Sequence, residues 1–271
     1  MRRRLTGYKC STLLCAVTRI ATNAVMPHRC VFCGTRLYDT ELHVCCDCYA
    51  DLPWINRSCA RCAQPVPAAL PEGTHCADCQ LRPTPFGTAV APLMYSFPVD
   101  AAIKALKFRR KLYYAPAFAA LLENELPRLG GDIDAVLPVP LHWRRHANRG
   151  FNQAAELCRR VQICRGLPVL VNVIRQRPTP YQSGLDSEQR QRNLRGAFVV
   201  RGDIDARHIL IVDDVITTGE TCRQLARTLL DSGAGAVSVL AVARAVIPRA
   251  LEKASQQHCT ELRKGETGGE R

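Results

Sequence analysis

The chain has 271 residues, is 47% hydrophobic and 6% aromatic, and carries a formal net charge of +13 from 37 Lys and Arg against 24 Asp and Glu. This length suffices for one sizeable α/β core and a small module, and the composition suits a soluble globular protein. No apolar run approaches the ~20 residues of a membrane-spanning helix, which excludes a helical membrane protein.

Residues 1–27 open with Arg2 to Arg4, like the basic start of a signal peptide, but Arg19 interrupts the apolar stretch and no clear cleavage site follows. This segment reads as a disordered extension or a misassigned start, with Met26 an alternative first residue. Residues 28–82 then hold eight of the 15 cysteines in four C-x-x-C pairs: Cys30/Cys33, Cys45/Cys48, Cys59/Cys62 and Cys76/Cys79. Each C-x-x-C turn aims two sulfurs at one point, and two turns complete a tetrahedral site of the kind Zn²⁺ accepts. The two spacings are so alike that they read as one zinc ribbon duplicated, with ligands paired sequentially. An interleaved cross-brace is the other arrangement open to these spacings, and Cys46 or His43 could replace a member of the second knuckle. Four disulfides would need an oxidising compartment, to which the chain shows no route, so a cytoplasmic location is expected. With all four positions filled by protein such sites are structural, and with few apolar residues here the metal supplies most of the folding free energy.

Residues 86–246 alternate strand and helix patterns. Strands are predicted at Gly87–Tyr95, Ile133–Val139, Val169–Ile174, Ala197–Val200 and Ala236–Ala243. Helices are predicted at Val99–Arg109, Tyr114–Leu126, Asn152–Arg165 and Gly219–Ser232, the last ended by Gly233. Such alternation predicts an α/β fold, a parallel sheet flanked by helices, preceded by the small N-terminal double zinc ribbon. Cys158 and Cys222, on helix-like segments, read as small core residues. The tail, residues 247–271, is polar and charged and is expected to be disordered.

Positive charge is concentrated between His142 and Arg201, where twelve Arg face only Glu156, Asp186 and Glu188. Two zinc ions on eight thiolates would lower the net charge of +13 by about 4, leaving the chain basic. A positive field suits a polyanionic substrate and equally a single-stranded nucleic acid. Arg159, Arg160, Arg207 and Arg227 read as parts of solvated faces.

The stretch Ile209 to Thr221, I-L-I-V-D-D-V-I-T-T-G-E-T, reads as a buried strand ending in two carboxylates, then a Thr/Gly turn into a helix. Asp213 and Asp214 therefore fall at the carboxyl end of a strand, where α/β sheets bind ligands, and adjacent carboxylates accept hydrogen bonds from a vicinal diol. The N–H groups from about Ile216 to Thr221, the hydroxyls of Thr217, Thr218 and Thr221, and the close approach that Gly219 permits make an anion site. Diol and phosphate together point to a ribose 5-phosphate. A Walker-type nucleotide site would need a glycine-rich loop with a Gly-Lys pair, and the chain has no such pair.

This segment closely resembles the phosphoribosyl diphosphate (PRPP) signature of the type I phosphoribosyltransferases. The resemblance implies their fold, with Asp213 and Asp214 on the ribose hydroxyls and Val215 to Thr221 around the 5-phosphate. It also implies a pyrophosphate loop after the strand ending at Val139-Pro140, placing Val139 and Pro140 at the PRPP site with Arg145 and Arg149 as phosphate ligands. Gln176 to Arg195 resembles the mobile loop that closes over the site. Zinc knuckles, the Lys104-x-x-Lys107-Phe108 segment, the run Val139 to Gln153 ending R-G-F-N-Q, T-x-x-Q-x-x-L from Thr179, R-N-L from Arg192 and the PRPP signature, in this order, resemble the ComF/GntX family. That resemblance covers about residues 28–246 and implies a link to competence and use of external DNA. It implies two structural zinc ions, Mg²⁺ bound with PRPP, and displacement of pyrophosphate by a nitrogen acceptor. No N-terminal catalytic cysteine of the glutaminase kind is present. The competing reading is a single-stranded-DNA-binding component of the DNA-uptake machinery. For this reading aromatic stacking platforms are few, and in the zinc module only Phe32, Tyr38, Tyr49 and Trp54 could serve.

Overall fold

The computed structural model describes residues 28–37, 42–176 and 196–246. The chain divides into two compact units, Met1–Asp51 and Leu52–Arg271. The predicted extension, the tail, Tyr38 and the closing-loop motifs at Thr179, Gln182 and Arg192 lie outside the described residues.

In the first unit a knuckle is closed by an antiparallel bridge between Arg29 and Arg36 and followed by helix α1, Cys46–Asp51. The second unit begins with a copy of the same structure, bridged between Ser58 and Pro65 and followed by helix α2, Ala77–Leu81. The boundary between the units thus falls between the ribbons. The second ribbon is hydrogen-bonded to the rest of its unit through Ile55 N–H to the Pro92 carbonyl (2.8 Å) and Met94 N–H to the Pro53 carbonyl (2.8 Å).

The α/β part then runs β1 (Thr88–Val90), β2 (Leu93–Met94), α3 (Val99–Arg109), α4 (Tyr114–Glu123), β3 (Ala135–Pro138), α5 (Trp143–Arg149), α6 (Gln153–Cys158) and α7 (Gln162–Arg165). It continues through β4 (Val173–Arg175), β5 (Phe198–Val200), β6 (His208–Ile216), α8 (Glu220–Asp231) and β7 (Ala236–Arg244). The main sheet is parallel, in order β1-β7-β6-β3 with β2 also on β7. Its central strands are buried on both faces, as crossover helices require. Ile209, Ile211, Val237, Val239 and Ala241 pack with Leu225 and Leu229 of α8, while Leu210, Val212 and Leu240, on the alternate face, are equally buried.

Five regions differ from their sequence reading. The strand predicted over Gly87–Tyr95 is two short strands, since Pro92 has no N–H for the ladder. The Arg-rich loop after Pro140 contains α5, capped by His142 Nδ1 accepting from the Arg144 N–H (3.3 Å) and ended by Gly150 at φ 76°. It buries no residue, so it has no apolar period to reveal it. The helix predicted over Asn152–Arg165 breaks at Val161, which is extended (φ −69°, ψ 125°) and buried. Strands β4 and β5 pair antiparallel with each other outside the main sheet. Finally, β6 does not end at the carboxylates but continues through Asp213 and Asp214 to Ile216, paired with β7 up to Arg244.

Candidate functional site

Two groups of four thiols, Cys30/Cys33/Cys45/Cys48 and Cys59/Cys62/Cys76/Cys79, each hold their sulfurs within 4.8 Å of one another. The pairing is sequential, and neither Cys46 nor His43 joins a group. The Cys33–Cys45 and Cys62–Cys76 sulfur separations are both 3.6 Å. Four ligands at ~2.3 Å around a tetrahedral ion lie about 3.8 Å apart, so the thiols fit Zn²⁺. Every described cysteine is free of disulfide bonding. Cys158 and Cys222 are buried in the core, and burial pushes the Cys222 thiol above its usual range, which leaves it inert.

At the sheet's carboxyl end, the main chain itself orients the two aspartates. Asp213 Oδ1 accepts from the Asp214 N–H (2.8 Å), and Asp214 Oδ1 from the Val215 N–H (3.0 Å). Asp214 is only 3% exposed, and its Oδ2 forms an ion pair with Lys107 of α3. Burial, then the neighbouring Asp214 charge, pushes the Asp213 carboxyl well above the ordinary carboxylate range. Burial works against the Lys107 ammonium, but Asp214 and Asp213 beside it hold it above the usual lysine range.

Beyond Ile216 the chain turns through Thr217, Thr218 and Gly219 into α8. Gly219, at φ 78°, is the N-cap residue, and Thr218 Oγ1 accepts from the Glu220 N–H (3.4 Å). The carbonyls of Ile216 and Thr217 accept from Arg244, and that of Thr218 from Arg223 (2.9 Å). Among the described residues, no acceptor takes the N–H groups of Thr217, Thr218 or Gly219. With its carbonyls turned to two arginines, this turn offers N–H donors at a helix start, the chemistry of an anion cradle.

Lys107 also lines a cavity of about 310 Å³ with Phe108, Arg110, Arg145, Asn148 and Arg149. It therefore connects the aspartates to both arginines singled out in the sequence. Arg149 donates to Gln153 Oε1 (3.0 Å) and lies over the Phe108 ring at 5.0 Å. Burial, then the nearby Arg145 charge, lowers Arg175 to about 10, with Asp213 acting in the opposite sense. Gly150 is favoured by its left-handed backbone, φ 76°, at the end of α5. Val139 uses both backbone groups inside the fold, donating to the Val212 carbonyl (2.9 Å) and accepting from Asn152 Nδ2 (3.0 Å). Asn152 in turn caps α6, so the R-G-F-N-Q run fixes the angle between β3 and that helix.

The sequence reading assigned no role to Arg110, Arg175 or Arg244, and took Lys107 only as part of the Lys104-x-x-Lys107-Phe108 family segment. Lys107 stands 106 positions before Asp213, and only the packing of α3 joins it to the aspartates. Arg159 is exposed, as read from the sequence, whereas Arg160 is half-buried; both pair with Glu156.

Comparison with known proteins agrees with this architecture. Residues 21–80 match the double zinc ribbon domain. The DNA utilization protein YhgH of Salmonella typhimurium is 33% identical over 225 residues, spanning 81% of this chain and 98% of the relative. The chain belongs to the ComF family. Within that family, Competence protein F of Haemophilus influenzae is 27% identical over 232 residues, covering 80% of this chain and 97% of its own. Competence protein ComFC of Streptococcus pneumoniae is 27% identical over 205 residues, 74% and 87% of the two chains.

Proposed function

We propose that this ComF-family chain serves in DNA utilisation or competence, binds PRPP with Mg²⁺, and transfers the phosphoribosyl group to a nitrogen acceptor. The observation that carries the reading is one strand bearing two oriented carboxylates near its carboxyl end, an anion cradle in the turn that follows the strand and a cationic cavity joined to the carboxylates by Lys107. Asp213 and Asp214 accept hydrogen bonds from the ribose hydroxyls, and the N–H groups of Thr217 to Gly219, with the hydroxyls of Thr217, Thr218 and Thr221, take the 5-phosphate. Arg145 and Arg149 face the pyrophosphate, which guanidinium groups bind bidentately without losing charge. The acceptor nitrogen bonds to C1 as the C1–O bond breaks and pyrophosphate leaves with the bonding pair. Donors already fixed by protein lower the barrier because no reorganisation accompanies that charge transfer. Mg²⁺ would neutralise pyrophosphate charge, and since it keeps waters and phosphate oxygens as ligands, it asks of the protein no more than one or two carboxylates such as Asp213 and Asp214.

Calorimetric titration of the zinc-loaded protein with PRPP, with and without Mg²⁺, tests the reading. Mg²⁺-dependent binding is expected, and is lost in Asp213→Ala/Asp214→Ala. Equal binding by that variant would reject it.

A second reading, a surface for single-stranded DNA, gains support from where the exposed aromatics lie. Trp143 (66% exposed), Phe108 and Tyr113 stand beside cations, with Arg144 5.2 Å from the Trp143 ring and Lys111 5.7 Å from that of Tyr113. Stacking faces amid positive charge are what a single strand requires. They belong to the α/β unit, not to the zinc module where the sequence reading looked for them. A phosphate-driven binder loses affinity steeply with salt. PRPP binding depends instead on Mg²⁺ and the aspartates.

A further inference from the structure

Arg244 ends β7 and is 3% exposed. Its Nε donates to the carbonyl of Cys62 (3.1 Å), a ligand of the second zinc site. Its Nη1 donates to the carbonyls of Ile216 (3.0 Å), Thr217 and Ala245 (2.9 Å). One guanidinium thus grips a zinc knuckle and the anion cradle together, across 182 positions of sequence in the first case and 28 and 27 in the second. Among the described residues no carboxylate pairs with it. A buried cation without an opposite charge is unfavourable. The neighbouring knuckle supplies that charge once loaded, because four thiolates around Zn²⁺ carry about −2 in net.

The knuckle is itself built into the core at this point. Ala63, next to Cys62, is fully buried among Phe86, Ala89 and Ala91 of the α/β core. It holds φ 58°, a conformation that an L-residue adopts only against steric cost. The Cys62 carbonyl therefore has a fixed place while zinc holds the knuckle, and the cradle carbonyls inherit that place through Arg244.

We propose that Arg244 is a positioning residue that couples zinc occupancy of the Cys59/Cys62/Cys76/Cys79 site to anion binding by the Thr217–Gly219 turn. The coupling deepens, and rests on, the reading of that turn as the 5-phosphate cradle. Linkage makes it reciprocal: zinc tightens the anion by the same factor by which the anion tightens zinc, on the order of tenfold for couplings of this kind. Arg223, which holds the Thr218 carbonyl but no zinc knuckle, supports the cradle without carrying the coupling.

The test has two arms. Amide hydrogen exchange of Glu220, Arg223 and Ala245, whose N–H groups donate to Thr218 Oγ1 and to the Gly219 and Ile216 carbonyls of the turn, is followed without ligand in the native protein, in Cys59→Ser and in Cys30→Ser. Exchange is expected to accelerate on emptying the second site and to stay unchanged on emptying the first. Arg244→Met exchanges fast at the outset and no longer responds to Cys59→Ser. Arg244→Lys, which keeps the charge but cannot span both sets of carbonyls, behaves as Arg244→Met does and serves if that variant fails to fold. In the second arm, zinc release from the second site to a chromogenic chelator is timed with and without Mg²⁺ and PRPP. PRPP is expected to slow release on the order of tenfold in the native protein, and not in Arg244→Lys. Unchanged exchange in a folded Cys59→Ser protein, or coupling that persists in Arg244→Lys, overturns the proposal. Exchange coupling without any PRPP effect upholds the link between zinc site and turn and rejects the turn's assignment to PRPP.

Discussion

Gly34 and Ala63 occupy the same place in two copies of one knuckle, both with left-handed backbones (φ 78° and 58°), yet their surroundings are opposite. In both copies the first ligand donates to the residue five positions on, Cys30 N–H to the Thr35 carbonyl and Cys59 N–H to the Gln64 carbonyl, each at 2.8 Å. A Cβ on Gly34 would meet nothing within 4 Å, whereas the methyl of Ala63 is fully buried in the α/β core. Cys33 is exposed; Cys59, Cys62 and Cys79 are buried. The two ribbons are similar metal clips, of which the first belongs to its own short unit and the second is part of a larger core. Ligand spacing sets the clip. The residues around it set what the clip holds.

Emptying the sites one at a time gives the largest contrast. Cys59→Ser is expected to cost the α/β unit about 5 kcal/mol, the scale of a lost structural metal, or about 10–20 °C in Tm by calorimetry. Cys30→Ser is expected to leave that main transition within about 2 °C. Equal losses would dissolve the distinction. Metal release on acidification sharpens it, since protons compete with zinc for thiolates. The first site, with Cys33 exposed, should empty at higher pH than the more buried second site beside Arg244, and a single release step observed with a zinc-sensitive dye would contradict this.

A smaller effect measures what the second ribbon braces. The Asp213 carboxyl lies above its ordinary range in the folded protein. The unfolded chain therefore releases that proton first, and the group opposes folding increasingly as pH rises above about 4. Asp213→Asn should stabilise the protein at pH 7 by about 1 kcal/mol, with a gain that shrinks as pH is lowered towards that value. Denaturant titrations at two pH values check both parts. The finest comparison returns to the knuckles: Gly34→Ala should weaken the first ribbon by about 1 kcal/mol of backbone strain with nothing to offset it. In Ala63→Gly the strain relieved and the ~0.8 kcal/mol of methyl burial lost nearly cancel. Differential zinc affinity and thermal melts read the pair.

Much of this was legible in the chain. The ligand sets of both ribbons, the βα alternation and the strand carrying Asp213 and Asp214 follow from local spacing, which is where strong periodic signals lie. The helix holding Arg145 and Arg149 was not legible, because a helix that buries no residue leaves no apolar trace and its caps, His142 and Gly150, are weak signals alone. Nor was the antiparallel pairing of β4 with β5, since alternation does not reveal which strands leave the main sheet. Lys107 and Arg244 became visible only when folding brought them to partners far along the chain. Their types gave no warning, for a lysine on a helix and an arginine at a strand end are commonly solvated. What singles them out is burial without a local counter-charge, a property of packing alone.

The ion pair between Lys107 and Asp214 also shapes how the pocket meets anything arriving from solvent. Two bare carboxylates at the mouth of a cleft would repel an anion before it touched the cradle. With the Lys107 ammonium paired to Asp214 and lining the cavity, the negative field is reduced at its source, and Arg110, Arg145 and Arg149 line the cavity beside it. Encounter is thereby biased towards polyanions, and a sugar without phosphate gains no attraction from the same groups.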